Sequence, residues 1–223
     1  MTRTKLADRR LPDYTRGEEI FNMVSHIVGG GLGIIALVLC VVFASIKGNP
    51  WAIVSSTLYG SALVFMYSVS SVYHGLRTNA SKKVMQIIDH CMIYFLIGGT
   101  YTPIAICAVR PNYPAWGWLL FGLVWGCAGV AAVFTAIDLK KYSKLSMACY
   151  ICMGWCVIIA VKPVMNSVPT EGLIWLLAGG IAYTIGAAIY GVGKKHRYMH
   201  SIFHLFVVLG SVLQFFCIFF YVI

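Results

Sequence analysis

Charge is scarce in this chain of 223 residues, and acidic charge is the scarcest: seven Asp and Glu stand against 17 Lys and Arg. Only 11% of the residues are charged, whereas soluble domains carry about 25%. Long polar stretches are also missing, because 60% of the residues are hydrophobic and the mean hydropathy is +0.82. These shortages exclude an ordinary soluble domain and indicate a polytopic membrane protein.

Two other common signals are not expected here. The eight cysteines lie mostly inside apolar runs, and Cys149, Cys152 and Cys156 have helical spacing. Such residues are typical of a polarizable helix core and do not imply a disulfide framework. A cleavable signal peptide is not predicted either, because the first apolar run is longer than an h-region of about 7–15 residues.

Apolar runs of membrane-spanning length fill most of the chain. About 20 apolar residues are needed to cross roughly 30 Å of hydrocarbon, and by this rule we count seven spans. Short connections predict one all-α, seven-transmembrane helix bundle over residues 19–223, preceded by a polar cytoplasmic tail over residues 1–18. The predicted spans are roughly 20–46, 51–76, 84–108, 115–137, 143–161, 172–192 and 199–222.

The cations alternate between connections. The polar tail and the second, fourth and sixth connections are rich in Lys and Arg, whereas the others hold only Lys47, Arg110 and Lys162. By the positive-inside rule, the N-terminus is predicted to be cytoplasmic and the C-terminus extracytoplasmic, in the cell membrane. We interpret the basic segments as facing anionic lipid, so the net charge of +10 requires no nucleic-acid partner. Their cations are Arg3, Lys5, Arg9, Arg10, Arg16, Arg77, Lys82, Lys83, Lys140, Lys141, Lys144, Lys194, Lys195 and Arg197.

Three of the six histidines are predicted to meet at the cytoplasmic side. His200 and His204 are four residues apart in an apolar run, so they share one helix face. His74 ends the second span, on the same predicted side of the membrane. Because imidazole is costly in a hydrocarbon environment, such a convergence predicts a function for these rings.

Other polar residues are predicted to reach the same height. Ser70 lies one turn deeper than His74 on the same face, and Asp89 lies near the start of the third span. The outer half of the bundle holds no ionisable residue at depth. The other polar residues predicted at the cytoplasmic height are Glu19, Asn22 and His26, on one face of the first span, and His90. Together with the three histidines, Ser70 and Asp89, they form one polar layer.

A catalytic zinc site fits this layer. Zinc binds neutral imidazole, and catalytic sites have three protein ligands with one open position; His74, His200 and His204 supply such a set. Asp89 is predicted to accept a proton from the zinc-bound water. Alternatively, it orients a ligand imidazole, or it is a carboxylate stabilised near the N-terminus of its helix by the helix dipole. Ser70 is predicted to hydrogen-bond a water or substrate oxygen, with a bond to the backbone as the alternative.

The remaining polar residues are interpreted as structural. His90 points about 100° away from Asp89 on a helix and is not expected to be a ligand. His26 is expected to gate or support the site with the other polar residues of its span. His196 is expected to be solvated, and Asp138 to pair with the lysines that follow it.

Several motifs resemble those of one family. They are Glu19, Asn22 and His26; Ser70 with His74; Asp89 and His90 leading to Gly99, Thr100, Tyr101, Thr102 and Pro103; and His200 with His204. Together they resemble the hemolysin III family, the bacterial branch related to progestin and adipoQ receptors and, more distantly, to alkaline ceramidases. The resemblance implies a zinc site near the cytoplasmic face, with the three histidines as ligands and Asp89 touching zinc through water.

Three functions remain open at this point. The leading hypothesis is a zinc-dependent hydrolase that acts on a membrane lipid amide or ester, with Asp89 and Ser70 as catalytic residues. The second is a non-enzymatic homeostasis or receptor-like protein with structural zinc. The third is a pore-forming hemolysin, which the concentration of polar residues at one end disfavours.

Overall fold

A computed structural model describes residues 4–193 and 196–223. Three of the basic residues named above, Arg3, Lys194 and Lys195, lie outside the described residues. Within the described part, the chain is helical and contains no strand. Seven helices are long and apolar enough to cross a membrane, which confirms the predicted all-α architecture and the number of spans.

The seven helices are labelled in chain order, and two of them are interrupted. α3 continues through a π-helical stretch, Ile104–Val109, to Asn112, and α5 continues through a 3₁₀ stretch, Cys156–Ala160, to Ser167. Pro103 directly precedes the π-helical stretch, in accord with the backbone disruption that proline causes. The helices are α1 (Arg16–Ile46), α2 (Pro50–Gly75), α3 (Ala80–Pro103), α4 (Pro114–Ile137), α5 (Ser143–Gly154), α6 (Thr170–Val192) and α7 (Met199–Tyr221).

Side-chain caps fix where the helices that carry the site begin. Thr15 and Glu18 form a capping box at the start of α1. Asn79 accepts a hydrogen bond from the backbone of Lys82 at the start of α3. Before α7, Tyr198 has a left-handed backbone (φ 61°), and its N–H donates to Glu18 Oε1 at 2.7 Å. The first turns of α1 and α7 are therefore joined directly.

The starts of α1, α3, α5 and α7 lie together at one end of the molecule, here called the basic end. The N-terminal segment 4–15 folds across this end: Lys83 Nζ donates to the Ala7 carbonyl at 2.6 Å. Arg197 donates to the Asp13 carbonyl at 2.8 Å and approaches Glu18 Oε2 at 3.3 Å. Residues 4–15 thus pack against the helix ends instead of extending away from them.

Asp138 anchors the same segment, and the predicted pairing with lysine side chains is wrong. Its carboxylate accepts hydrogen bonds from the backbone N–H groups of Thr4 (2.9 Å) and Lys141 (3.1 Å). These bonds lower the pKa of Asp138 to about 2, since they favour the ionised carboxylate. The lysines near Asp138 suggested a charge pair, but main-chain donors occupy the carboxylate.

Glycines allow the closest helix contacts. A Cβ atom on Gly60 would lie 2.6 Å from the Leu37 Cα, and one on Gly99 would lie 2.5 Å from the Ala62 Cβ. Helices in lipid gain little from the hydrophobic effect, so close backbone packing of this kind is a main source of their association. α1, α2 and α3 therefore form a tightly packed unit that carries His74.

Gly60→Leu is expected to destabilise the bundle by about 1–3 kcal/mol, because the new side chain would overlap the α1 backbone. Thermal unfolding in detergent micelles measures the effect. Gly126→Leu is the matched control, since a Cβ there has no atom within 4 Å. Equal melting temperatures for the two variants would contradict the described packing.

Candidate metal centre

The three predicted histidines converge at the basic end. His74 lies in the last turn of α2, while His200 and His204 lie in the first two turns of α7. The Nε2 atoms of His200 and His204 are 3.0 Å apart, and one nitrogen from each of the three rings lies within 4.8 Å of the others. His74 and His204 are buried, and His200 is half-buried.

The donor set fits a metal ion. Tetrahedral coordination at about 2.0–2.1 Å places two ligand nitrogens roughly 3.3–3.4 Å apart, close to the spacing on α7. Nε2 of His74 is buried and has no hydrogen-bond partner among the described residues. A buried polar atom without a partner is costly, and coordination would satisfy it. The three histidines could therefore hold one metal ion.

The carboxylate of Glu19 contacts the Nδ1 atom of His74. Glu19 Oε2 lies 2.6 Å from His74 Nδ1, and Glu19 Oε1 lies 2.8 Å from Lys82 Nζ. The interpretation of Lys82 as a lipid-facing cation is wrong, because its side chain is only 4% exposed. The adjacent Lys83 reaches the N-terminal segment instead. The two lysines differ in their contacts because the rotation of α3 about its axis turns Lys82 toward α1 and α2 and Lys83 toward the N-terminal segment.

His26 stacks on the α7 pair without joining it. Its ring lies parallel to that of His204, with centroids 3.7 Å apart and an interplanar angle of 10°. Tyr67 meets its edge at 5.0 Å. His26 is fully buried and does not belong to the group of described residues that could share a metal, so the gating or supporting role expected for it stays a prediction.

Asp89 and Ser70 line one cavity together with His200 and His204. Both residues are buried, and Asp89 retains 7% exposure. His90 also lines the cavity, but its Nδ1 lies 2.8 Å from the Gln86 carbonyl of its own helix. The predicted carboxylate and serine therefore line the same cavity as His200 and His204. His90 Nδ1 also lies 3.7 Å from Asp89 Oδ2, although the two side chains were expected to point about 100° apart on the helix. His196 is exposed, as expected.

Three tyrosines surround the histidines, and their position could not be read from the sequence. Tyr14 stacks on His200 with centroids 5.0 Å apart, and Tyr73 contacts His74 at 4.5 Å. Tyr190 lies 5.4 Å from His200. Burial raises the pKa of the Tyr14 phenol well above its ordinary range, so the hydroxyl stays neutral. Tyr14 has no sequence signal, because it precedes the first helix in a polar segment.

An apolar cavity extends from the histidines into the bundle. Its volume is about 140 Å³, and residues of α1, α2, α3, α5, α6 and α7 line it. Ile97, Trp155 and Phe203 are among its lining residues, and Gln214 marks its distant end. The predominantly apolar lining favours a hydrocarbon occupant.

The fold and this cluster define a class: a seven-helix membrane protein with three clustered histidines and an apolar cavity at one end. Within that class, the model of the family described as "Haemolysin-III related" matches residues 14–215. The chain belongs to the haemolysin III family. Its helices and its bacterial relatives make it a multi-pass protein of the cell membrane.

Individual relatives agree with this assignment. Hemolysin-3 of Bacillus cereus is 38% identical over 206 residues, which cover 92% of both chains. The Hemolysin-3 homolog of Bacillus subtilis (strain 168) is 39% identical over 208 residues, 93% of this chain and 96% of the homolog. The human monocyte to macrophage differentiation factor is 24% identical over 181 residues, 78% of this chain and 72% of the human protein. The similarity therefore spans nearly the whole bundle.

Proposed function

We propose that this protein is a zinc-dependent hydrolase that cleaves an amide or ester bond of a membrane lipid. One observation carries the proposal: two members of the histidine cluster, His200 and His204, line the same apolar cavity as Asp89 and Ser70. A lipid chain inside this cavity would bring its carbonyl group to the polar end. The proposed catalytic groups and the proposed lipid-binding cavity would therefore adjoin each other.

The three histidines are proposed to bind zinc through Nε2 atoms. An all-imidazole set without a clustered carboxylate suits zinc better than magnesium or calcium, and three protein ligands are typical of a catalytic site. When bound, zinc lowers the pKa of a water toward about 7 and polarises a carbonyl oxygen. The protein's own residues must then position the lipid and move the protons.

Asp89 and Ser70 are proposed as the catalytic residues. The Asp89 carboxylate lines the cavity together with His200 and His204, where it can accept a proton from the attacking water and donate it to the leaving group. Ser70 lines the same cavity, and its hydroxyl can donate a hydrogen bond to an oxygen of the substrate. Tyr14 contacts the rings of His200 and His74, where it would limit access of bulk water.

Gly180→Leu is expected to obstruct the cavity. Gly180 lines it, and a Cβ atom at this position would lie 4.0 Å from the distal ring of Trp155. We expect a roughly 10–200-fold loss in kcat/KM for long-chain lipid amides or esters and little change for short-chain analogues. Gly126→Leu, outside the cavity, is the control; an equal loss for both chain lengths would contradict the assignment.

The activity itself is tested with purified, zinc-loaded protein in micelles. Release of fatty acid from a long-chain ceramide or a phospholipid is followed by mass spectrometry, with His204→Ala as the inactive variant. Turnover by the wild type alone supports the hydrolase. No turnover of any lipid amide or ester, together with unchanged lipids in cells that express the variant, would refute it.

A structural metal is the second candidate, because the proposed ligands join α2 to α7, which are far apart in the chain. A structural ion predicts that a chelator lowers the melting temperature sharply, since binding free energy then contributes to folding. A catalytic ion predicts lost turnover with a smaller change in melting temperature.

A further inference from the structure

We infer that Glu19, with Lys82 behind it, is the positioning residue that makes His74 the fixed ligand of the metal centre. This inference rests on the proposed metal site but not on the proposed hydrolysis. It concerns contacts made by α1 and α3, which supply none of the three histidines. The geometry of four groups in a row carries it: Lys82 ammonium, Glu19 carboxylate, His74 imidazole and the centre of the cluster.

The contact between Glu19 and His74 selects the tautomer of the ring. At 2.6 Å, His74 Nδ1 can donate a hydrogen bond to the Glu19 carboxylate, and the tautomer that does so carries its proton on Nδ1. Nε2 then presents its lone pair to His200 and His204. The absence of any hydrogen-bond partner for Nε2 within the described part of the chain agrees with this orientation.

Lys82 holds this carboxylate in place. Its ammonium donates to Glu19 Oε1 at 2.8 Å, to the Leu76 carbonyl at 2.9 Å and to the His74 carbonyl at 3.4 Å. The last two carbonyls belong to the C-terminal end of α2, where a cation is favourable. One buried lysine therefore holds both the backbone of His74 and the partner of its ring.

The two α7 histidines are held differently. His200 contacts aromatic rings, including those of Tyr14 and Tyr190, and His204 stacks on His26. Among the ion pairs of residues 4–193 and 196–223, only that of His74 joins one of the three rings to a carboxylate. A carboxylate behind a ligand histidine fixes its direction and strengthens its binding, and loss of such a partner lowers metal affinity about 10–100-fold.

The test is zinc affinity of the purified full-length protein, measured by competition with a chromophoric chelator. Glu19→Gln keeps an acceptor but loses the charge, and Glu19→Leu loses both; we expect roughly 10-fold and 100-fold weaker binding. Lys82→Met is expected to weaken binding about 10-fold. Glu171→Gln, at the exposed start of α6, and Lys83→Met are the matched controls and should bind like the wild type.

A spectroscopic readout separates positioning from general destabilisation. In metal-free protein, ¹⁵N chemical shifts of histidine side chains report the tautomer, and His74 should show protonated Nδ1 in the wild type and mixed tautomers in Glu19→Leu. Unchanged affinity and unchanged tautomer in Glu19→Leu would overturn the inference, as would a wild type that binds no zinc. Tight zinc binding without lipid turnover would refute only the hydrolase. If Glu19→Leu does not fold, Glu19→Gln and Lys82→Met decide the outcome.

Discussion

His204→Ala is expected to remove the metal from the protein: about one zinc ion per chain in the wild type, and none retained after dialysis in the variant. The variant keeps only two of the three imidazole ligands. Its zinc affinity should therefore fall by more than the roughly 10–100-fold that is lost when only the hydrogen-bond partner of a ligand is removed. His204 is also fully buried and stacked on His26, so its ring has no alternative position. Elemental analysis of purified protein measures the stoichiometry.

The control for this substitution is His196→Ala. His196 is exposed and precedes α7, so its substitution should leave both zinc content and turnover unchanged. His74→Ala and His200→Ala should match His204→Ala. Full zinc content in any one of these three variants would show that the ion, if present, has other ligands.

Asp89→Asn is expected to lower the rate of lipid hydrolysis by about 10²–10⁴-fold while zinc stays bound. The amide is nearly isosteric with the carboxylate but cannot accept a proton, whereas the three histidines are unchanged. Steady-state turnover of the lipid identified as substrate, together with zinc content, measures the two effects separately. The pairing of lost rate with retained metal is the signature of a proton acceptor.

Asp8→Asn serves as the matched control, because Asp8 is exposed in the N-terminal segment. It should retain wild-type turnover. Simultaneous loss of zinc and activity in Asp89→Asn would instead indicate that Asp89 holds the metal site together. A rate within twofold of the wild type would remove Asp89 from the mechanism.

The helices and the convergence of histidines could be predicted because each follows from a one-dimensional pattern. Apolar runs of sufficient length give the number of spans, and the spacing of His200 and His204 places them on one face. The alternation of span direction then brings His74 to the same end. No contact between helices is needed for any of these steps.

The remaining features depend on how helices rotate against one another. Lys82 and Lys83 are adjacent and identical in type, yet one is buried against Glu19 and the other holds the N-terminal segment. Tyr14 reaches His200 only because segment 4–15 folds back. The cavity forms where six of the helices leave space between them, which no single span indicates.

X-ray absorption at the zinc edge, on purified zinc-loaded protein, tests the central claim most directly. The account predicts three imidazole nitrogens at about 2.0–2.1 Å and one further light-atom ligand. A shell of sulfur at about 2.3 Å, fewer than three imidazoles, or protein that does not retain zinc would contradict it.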